Sequence, residues 1–282
     1  MATFILDRNQ FDAVLFDLDG VLTDSAALHA QSWKTLFDSF LKERGGTDRS
    51  FDADHDYRAY VDGKPRLDGI RSFLESRGMT LPEGEPDDPP DAPTIHGLGS
   101  RKNTLFLRTL AQHEVATFPA ALRFLQQTRD AGFKTALVSS SRNSRAIADK
   151  VGLASLFDAW VDGEAVQARQ MKGKPAPDMF QAAAADLRVS PSRSVVVEDA
   201  IAGVEAGWRG GFGLVIGVDR THHPDALAEA GADVVISSLN DIAIAGVEAK
   251  PIAALPRSPC RSRDGRRHQR PRSPGYSRSG RP

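Results

Sequence analysis

Short apolar runs alternate with helical segments along most of this chain of 282 residues. The runs AVLF, TALV, VVV, LVIGV and VVI occupy positions 13–16, 135–138, 195–197, 214–218 and 234–236. Such runs are typical of strands buried on both faces of a parallel sheet. Helices are predicted between them, over 120–131, 178–187 and 201–209. The alternation predicts an α/β fold, a doubly wound parallel sheet with helices on both faces.

The segment between the first two strands differs from the rest. No convincing strand pattern occurs between residues 27 and 115, whereas apolar residues at helical spacing predict helices over 26–42, 67–77 and 101–113. An acidic, proline-rich loop spans 82–93. A helical insertion directly after the first strand predicts a cap over the active-site end of the sheet. We therefore predict a core domain of residues 1–26 and 116–249 and an inserted α-helical cap domain of residues 27–115.

The C-terminal residues 250–282 form an Arg-, Pro- and Ser-rich tail with almost no apolar periodicity, which predicts disorder. A basic arm for nucleic acid is the alternative, but the tail lacks interleaved aromatic residues. The single cysteine, Cys260, excludes an internal disulfide. We see neither a signal-peptide pattern nor an apolar stretch approaching the ~18 residues of a membrane span. We expect a cytoplasmic monomer with neither membrane nor nucleic-acid partners.

The sequence Asp17-Leu18-Asp19-Gly20 directly follows the first strand. Loops at the carboxyl ends of parallel strands form the ligand crevice of an open sheet. Two carboxylates at i and i+2 allow one to act as a nucleophile and the other to exchange a proton with an entering or leaving oxygen. Gly20 permits a tight turn that brings backbone amides near a phosphate. Taken alone, this motif is explained equally well by a pair of helix-capping aspartates.

Polar residues follow two other strands and precede a further helix. Residues 139–143 (SSSRN) offer hydroxyls and amides to phosphoryl oxygens, and Glu198 and Asp199 offer carboxylates of the kind that Mg²⁺ prefers. Lys174, in a proline-stiffened loop, can offset the charge of a transferring phosphoryl group. Helix caps, a surface acidic pair and a solvated lysine would explain each element alone. Together and in this order they predict phosphoryl transfer.

The segments FDLDG, VSSS, KGKPAPD and VVVEDA resemble the four motifs of the haloacid dehalogenase superfamily. The resemblance covers roughly residues 12–240, and through FDLDGVLTDSAALHAQSWK and VVVEDAIAGVEAG it narrows to the β-phosphoglucomutase-like subfamily. It implies a Rossmann-like core, a helical cap and Mg²⁺. The cap is longer than in compact members, near residues 43–55 and 79–96, which suggests either a larger substrate or an added interface.

The resemblance also implies roles for the core residues. Asp17 would be the nucleophile and Asp19 the general acid/base, while Ser139 and Lys174 would bind the transferring phosphoryl group. The metal ligands would be Asp17, Asp19, Glu198 and Asp199.

A further set of residues, from cap and core, is implied to bind the substrate. His29 would help to gate the acid/base, Arg66 of a G-x-x-R loop would grip the non-transferring phosphate, and Lys102 would help to read the sugar. A half-buried helix histidine and a solvated arginine are the plain alternatives for His29 and Arg66. The substrate-binding set is His29, Gly63, Arg66, Lys102, Ser140, Ser141, Arg142 and Asn143.

These assignments predict Mg²⁺-dependent phosphoryl transfer through a phospho-aspartate. The favoured reaction converts β-glucose 1-phosphate, a small phosphosugar, to glucose 6-phosphate, because Arg66 and Arg142 would grip a second phosphate. The alternative is a sugar-phosphate phosphatase, since the same catalytic residues serve both outcomes. A non-catalytic phosphosugar-binding or nucleic-acid-binding protein is more remote, because a binder needs no nucleophile.

Overall fold

In the computed structural model, residues 4–45 and 50–245 are described. Six strands form a parallel sheet in the order β4-β3-β2-β5-β6-β7, and β1 and β8 form a separate parallel pair. The strands are β1 (Phe4–Leu6), β2 (Ala13–Phe16), β3 (Lys134–Val138), β4 (Ala159–Val161), β5 (Ser194–Glu198), β6 (Leu214–Val218), β7 (Val234–Ile236) and β8 (Ile242–Ile244). The predicted doubly wound parallel sheet is confirmed.

Helices cover both faces of this sheet and also build the cap. The helices of the described residues are α1 (Ala26–Glu43), α2 (Arg66–Ser76), α3 (Ile95–Gln112), α4 (Pro119–Asp130), α5 (Ser144–Lys150), α6 (Gly163–Ala168), α7 (Asp178–Leu187), α8 (Ile201–Arg209) and α9 (Pro224–Glu229). Alternate residues of β2 face opposite ways, as strand geometry requires. Val14 and Phe16 pack toward α4 and α5, whereas Ala13 and Leu15 pack toward α7 and α8.

The cap is built from α1, α2 and α3 around an aromatic cluster. Phe37 lies at its centre, with ring centroids 4.0 Å from Phe73 and 5.3 Å from both Trp33 and Phe51. No strand occurs in the described residues 27–45 and 50–115, as predicted. The helical insertion between β2 and β3 follows the expected plan, and the exact domain boundaries stay predictions.

Differences from the predicted elements lie mainly at short or capped segments. Helix α3 begins at Ile95 rather than at residue 101, because the Thr94 hydroxyl accepts a hydrogen bond from the Gly97 amide at 2.9 Å and caps the helix. Strands β1, β4 and β8 were not predicted. Each has only three residues, and none is a continuous run of β-branched residues like the VVI of β7.

Two segments join the cap to the core, residues 20–25 (the first linker) and residues 113–118 (the second linker). They run side by side. The amide of Asp24 donates to the carbonyl of Ala116 at 2.9 Å, and the amide of Phe118 donates to the carbonyl of Leu22 at 3.0 Å. The cap is therefore attached at one place, the carboxyl end of β2.

Residues 250–282, the predicted disordered tail, lie outside the described residues. Among the residues that are described, no helix combines the length and apolar character needed to cross a membrane.

Candidate active site

The predicted motifs meet at the carboxyl edge of the sheet, because β2 lies between β3 and β5. Lys174 is the centre of this group and is 1% exposed. Its ammonium donates to Asp17 Oδ1 and to Glu198 Oε1, both at 2.6 Å, and to the carbonyl of Val138 at 2.9 Å. Burial opposes the charge of Lys174, but the two carboxylates outweigh it and raise the pKa of the ammonium. Lys174 therefore holds the predicted nucleophile in place.

Glu198 is fully buried at the end of β5 and has both carboxylate oxygens engaged. Oε1 accepts from Lys174, while Oε2 accepts from the amides of Asp199 and Ala200 at 2.8 and 3.0 Å. A Cβ on Gly203 would lie 1.8 Å from Oε1, so the helix after the loop needs glycine there. Glu198 thus anchors both Lys174 and the loop that carries Asp199.

Asp17, Glu198 and Asp199 can each offer one oxygen to a common point, with these atoms within 4.8 Å of one another. Burial raises the pKa of both Asp17 and Asp199, and neighbouring carboxylates raise it further. A buried surplus of negative charge with oxygen donors suits Mg²⁺. Gly20, at φ +91°, leaves room for Asp199, since a Cβ there would lie 1.8 Å from Asp199 Oδ2. The donor set fits a divalent cation.

The side chain of Asp19 lies outside that group and makes contacts of its own. Ser25 donates to Oδ1, and Ser139 donates to Oδ2 at 3.3 Å. Burial would raise the pKa of Asp19, but His29 and the Ser25 hydrogen bond outweigh it and hold the pKa below its ordinary value. The carboxylate of Asp19 faces the two serines and is not part of the group formed by Asp17, Glu198 and Asp199. Metal binding by Asp19 stays a prediction.

His29 connects Asp19 to the cap. Its Nε2 lies 3.6 Å from Asp19 Oδ1 and is the one buried side-chain polar atom of the described residues without a hydrogen bond. Its Nδ1 lies 2.8 Å from the ammonium of Lys102. A protonated Lys102 donates to Nδ1, which places the ring proton on Nε2, facing Asp19. Burial and the nearby charge of Lys102 lower the pKa of His29.

Two cations of the cap, the buried Lys102 and the half-buried Arg66, face the site without a carboxylate partner in the described part of the chain. Lys102 is 4% exposed and packs its ammonium over the rings of Trp33 and Phe106, at 4.9 and 4.8 Å. Burial and the charge of Arg66 hold its pKa well below the ordinary value. Arg66 donates to the carbonyl of Gly99 at 3.0 Å. Burial and the charge of Arg142 lower the pKa of Arg66 to about 10.

The cap is closed against the core. Ser140 donates to the carbonyl of Gly63 at 2.6 Å, and the side-chain Nδ2 of Asn143 donates to Asn103 Oδ1 at 2.9 Å, unlike the backbone amide of Asn143, which donates within its own loop. Ser141 turns toward its own loop, where it accepts from the Asn143 amide at 3.2 Å. The enclosed space is about 60 Å³, far below the roughly 300–1,000 Å³ of ligand pockets. All predicted site residues line it except Lys174 and Glu198, which are buried beside Asp17.

Several cap residues outside the predicted site also line this space, among them the hydrogen-bonded pair Tyr57 and Asp62. Burial raises the pKa of Asp62 to about 7, with the charge of Glu198 adding to the effect. Neither residue belongs to a recognisable motif. Ser25 was also missed, since a serine before a helix predicts only a cap.

A larger groove of about 1010 Å³ runs along the seam between cap and core and shares Arg66 and Arg142 with the enclosed space. Pro86, from the acidic proline-rich loop, and His96 form part of its cap wall, and Lys172 part of its core wall. The insertion in the cap therefore shapes a surface that adjoins the site.

Comparison with known proteins gives the family. The sequence profile of the haloacid dehalogenase-like hydrolases matches residues 11–211. This chain belongs to that family and is an enzyme. A β-phosphoglucomutase of Mycobacterium tuberculosis is 44% identical over 237 residues, covering 82% of this chain and 90% of that protein. A β-phosphoglucomutase of Bacillus subtilis is 32% identical over 235 residues, covering 82% and 92%.

A solved structure shows the same fold. The crystal structure of a β-phosphoglucomutase from Clostridium difficile superposes with a TM-score of 0.65 at 24% identity, covering 82% of this chain and 92% of that one. The expected haloacid dehalogenase fold, a parallel core with an inserted helical cap, is confirmed. The mycobacterial and Bacillus relatives support phosphoryl transfer on a sugar phosphate as the kind of reaction.

Proposed function

We propose that this enzyme is a β-phosphoglucomutase, which converts β-glucose 1-phosphate to glucose 6-phosphate. The observation that carries the proposal is that one space brings together a lysine-held nucleophile, a second carboxylate and two cap cations that have no carboxylate partner among residues 4–45 and 50–245. The β-phosphoglucomutase of Mycobacterium tuberculosis, 44% identical to this chain, supports the choice of sugar.

The first role belongs to Asp17. Lys174 holds Oδ1, so Oδ2 is the oxygen that attacks phosphorus in line with the leaving sugar oxygen. The new bond joins Asp17 to phosphorus as the bond from phosphorus to the sugar oxygen breaks. Lys174, whose three N–H donors are already engaged, offsets the charge of the phosphoryl oxygens during transfer. Ser139 would turn its hydroxyl from Asp19 to a phosphoryl oxygen.

The second role belongs to Asp19. As a base, the ionised Asp19 takes a proton from the sugar hydroxyl that attacks the phospho-aspartate. As an acid it then gives that proton to the sugar oxygen that leaves when Asp17 takes up the other phosphoryl group. Ser25 and Ser139 fix the two oxygens of this carboxylate. The ring of His29 orients it from the cap side.

Asp17 and Asp199, with Glu198 beside them, would hold Mg²⁺. Bound there, the ion would supply positive charge to neutralise the phosphoryl oxygens during transfer. Lys174 supplies such charge from the protein itself.

Arg66 and Arg142 would bind the phosphate that is not transferred. Burial lowers the pKa of Arg66, and repulsion by Arg142 lowers it further. That repulsion is relieved when an anion lies between the two guanidinium groups. The small enclosed space indicates that closing the cap excludes bulk water. Exclusion of water favours return of the phosphoryl group to sugar over its loss to hydrolysis.

A sugar-phosphate phosphatase is the second candidate, and the groove of about 1010 Å³ favours it. An open groove next to Arg66 and Arg142 admits a sugar phosphate larger than a hexose monophosphate. Such a substrate would keep the cap from closing and would let water reach the phospho-aspartate.

One experiment separates the two candidates. Purified enzyme is supplied with β-glucose 1-phosphate, Mg²⁺ and a trace of the 1,6-bisphosphate, and glucose 6-phosphate and inorganic phosphate are measured in the same reaction. We expect glucose 6-phosphate without matching release of phosphate. Release of phosphate together with free glucose would instead establish the phosphatase.

A further inference from the structure

Arg220 lies where the core meets both linkers of the cap. It is the second residue after β6 and is half-buried. Its Nε donates to the carbonyl of Gly20 at 2.8 Å, and its Nη2 lies 3.5 Å from the carbonyl of Val21. Both carbonyls belong to the first linker, so a charged side chain of the core holds the chain just after the nucleophile loop.

The same guanidinium also contacts the second linker. It stacks on the ring of Phe118, with its central carbon 3.8 Å from the ring centroid. A guanidinium group can make both contacts at once because it is planar. Its face packs on the aromatic ring while the N–H donors around its edge point to the carbonyls. One side chain therefore contacts both connections between cap and core.

The loop that carries Arg220 is itself ordered. Asp219 accepts hydrogen bonds from the amides of Thr221 and His223, at 3.0 and 3.1 Å. The amide of Asp219 donates to the carbonyl of Ile236 in β7 at 2.7 Å. The backbone next to Arg220 is thus held against the sheet, and the guanidinium reaches from there to the linkers.

We propose that Arg220 is a positioning residue that pins both cap linkers to the core and so sets how tightly the cap closes over Asp17 and Asp19. The two linkers are hydrogen-bonded to each other, so they move together when the cap moves. Fixing their core end at Arg220 limits that movement. The expected effect of Arg220 on the ratio of inorganic phosphate to glucose 6-phosphate rests on the proposed function. Its expected effect on the linkers does not.

The test is hydrogen–deuterium exchange of the full-length Arg220→Met variant, read in peptides that cover residues 18–26 and 112–120. Methionine keeps the length of the side chain but removes the charge and the donors. We expect exchange in these peptides to rise about tenfold while peptides from α7 and β5 stay unchanged. Arg123→Met is the control, since Arg123 donates to Asn240 at 2.9 Å on the core surface.

A second readout uses catalysis. In Arg220→Met, a looser cap admits water to the phospho-aspartate, so the ratio of inorganic phosphate to glucose 6-phosphate should rise several-fold. A merely structural role would lower total activity without changing this ratio. If the wild-type enzyme proves not to be a mutase, the exchange result still decides whether Arg220 pins the linkers.

Unchanged exchange in both linkers of a folded Arg220→Met variant would overturn the proposal. If that variant fails to fold, Arg220→Lys takes its place. Lysine keeps the charge and can reach a carbonyl, but it cannot also stack a planar group on Phe118. Linker exchange in Arg220→Lys should therefore still exceed that of the wild type, and equal rates would count against the proposal.

Discussion

The core side and the cap side of the site differ in how their charged groups are paired with opposite charges. On the core side, Lys174 meets two carboxylates at 2.6 Å, and Asp19 accepts hydrogen bonds from two serines. On the cap side, Lys102 contacts a histidine and aromatic rings, and Arg66 donates to one carbonyl. Neither of these two cations is paired with a carboxylate in the described ranges 4–45 and 50–245.

The contrast separates two tasks. A buried ion that is fully paired is held rigidly, which suits a nucleophile whose geometry must be ready before substrate arrives. A buried cation without an anion is costly, and the cost is removed when a phosphate binds beside it. We therefore expect the core side to perform the phosphoryl transfer and the cap side to bind the anionic part of the substrate.

The largest effect is expected at Asp17. Asp17→Asn removes the attacking oxygen while keeping the shape of the side chain, so turnover should fall by more than about 10⁴-fold. Steady-state rates and a search for the phospho-enzyme by intact-mass measurement test this. Asp130→Asn, a surface change in the core, is the control, and a phosphorylated Asp17→Asn protein would contradict the assignment.

Asp19→Asn should cost about 10²–10⁴-fold in kcat, the usual share of general acid/base catalysis. The phospho-aspartate should still form from a substrate with a good leaving group, such as an aryl phosphate, because no proton is then needed. Burst kinetics with such a substrate would check this. An unchanged rate with the sugar phosphate would mean that another group transfers the proton.

On the cap side, Arg66→Ala should raise KM for the sugar phosphate about 10- to 100-fold, which corresponds to a charge-assisted hydrogen bond. The matched control is Arg71→Ala on the same helix. Arg71 is exposed and already paired with Asp68 and Glu83, so its loss should leave KM nearly unchanged. Equal effects of the two changes would show that the cap attracts substrate by general charge alone.

The smallest effect is expected in stability, at Asp62. Because its pKa is raised to about 7, the folded state binds this proton more tightly than the unfolded state. The stabilising contribution is present below the ordinary pKa of aspartate and is lost as the pH rises through about 7.

As the pH rises from about 5 to about 8.5, the wild type should therefore lose unfolding free energy that Asp62→Asn keeps. The difference in unfolding free energy between the two proteins should change by on the order of 1 kcal/mol in favour of the variant. Urea unfolding of metal-free protein at both pH values measures it. Asp68→Asn, an exposed carboxylate of the same cap, serves as the control. Parallel stability curves for wild type and Asp62→Asn would show that the carboxyl titrates normally.

The fold and the core half of the site were largely accessible from sequence. Buried strands leave a clear apolar pattern, and the polar residues that follow them are brought together by the topology, as Asp17, Ser139 and Glu198 show. Arg220 follows β6 in the same way and was open to the same reasoning. The assigned roles of these residues stay predictions.

The cap half was less accessible. Tyr57 and Asp62 line the enclosed space only because the cap folds back onto the core, and no local pattern reports that contact. Strands β1 and β8, which form the separate two-stranded sheet, lie more than 230 positions apart in the sequence. Their pairing therefore depends on tertiary packing rather than on local sequence. Local sequence patterns identify the polar residues that follow a strand, but they do not identify the cap residues that pack over them.

Residues 20–25 and 113–118 run side by side, so the cap begins and ends at the same place on the core. Closely spaced ends are what allow one domain to be inserted into another without disturbing its host. A lid of different length or composition can be grafted at this junction while β2, β3 and β5 keep their register. Substrate choice and bond-making chemistry can then be inherited, exchanged and engineered as separate modules.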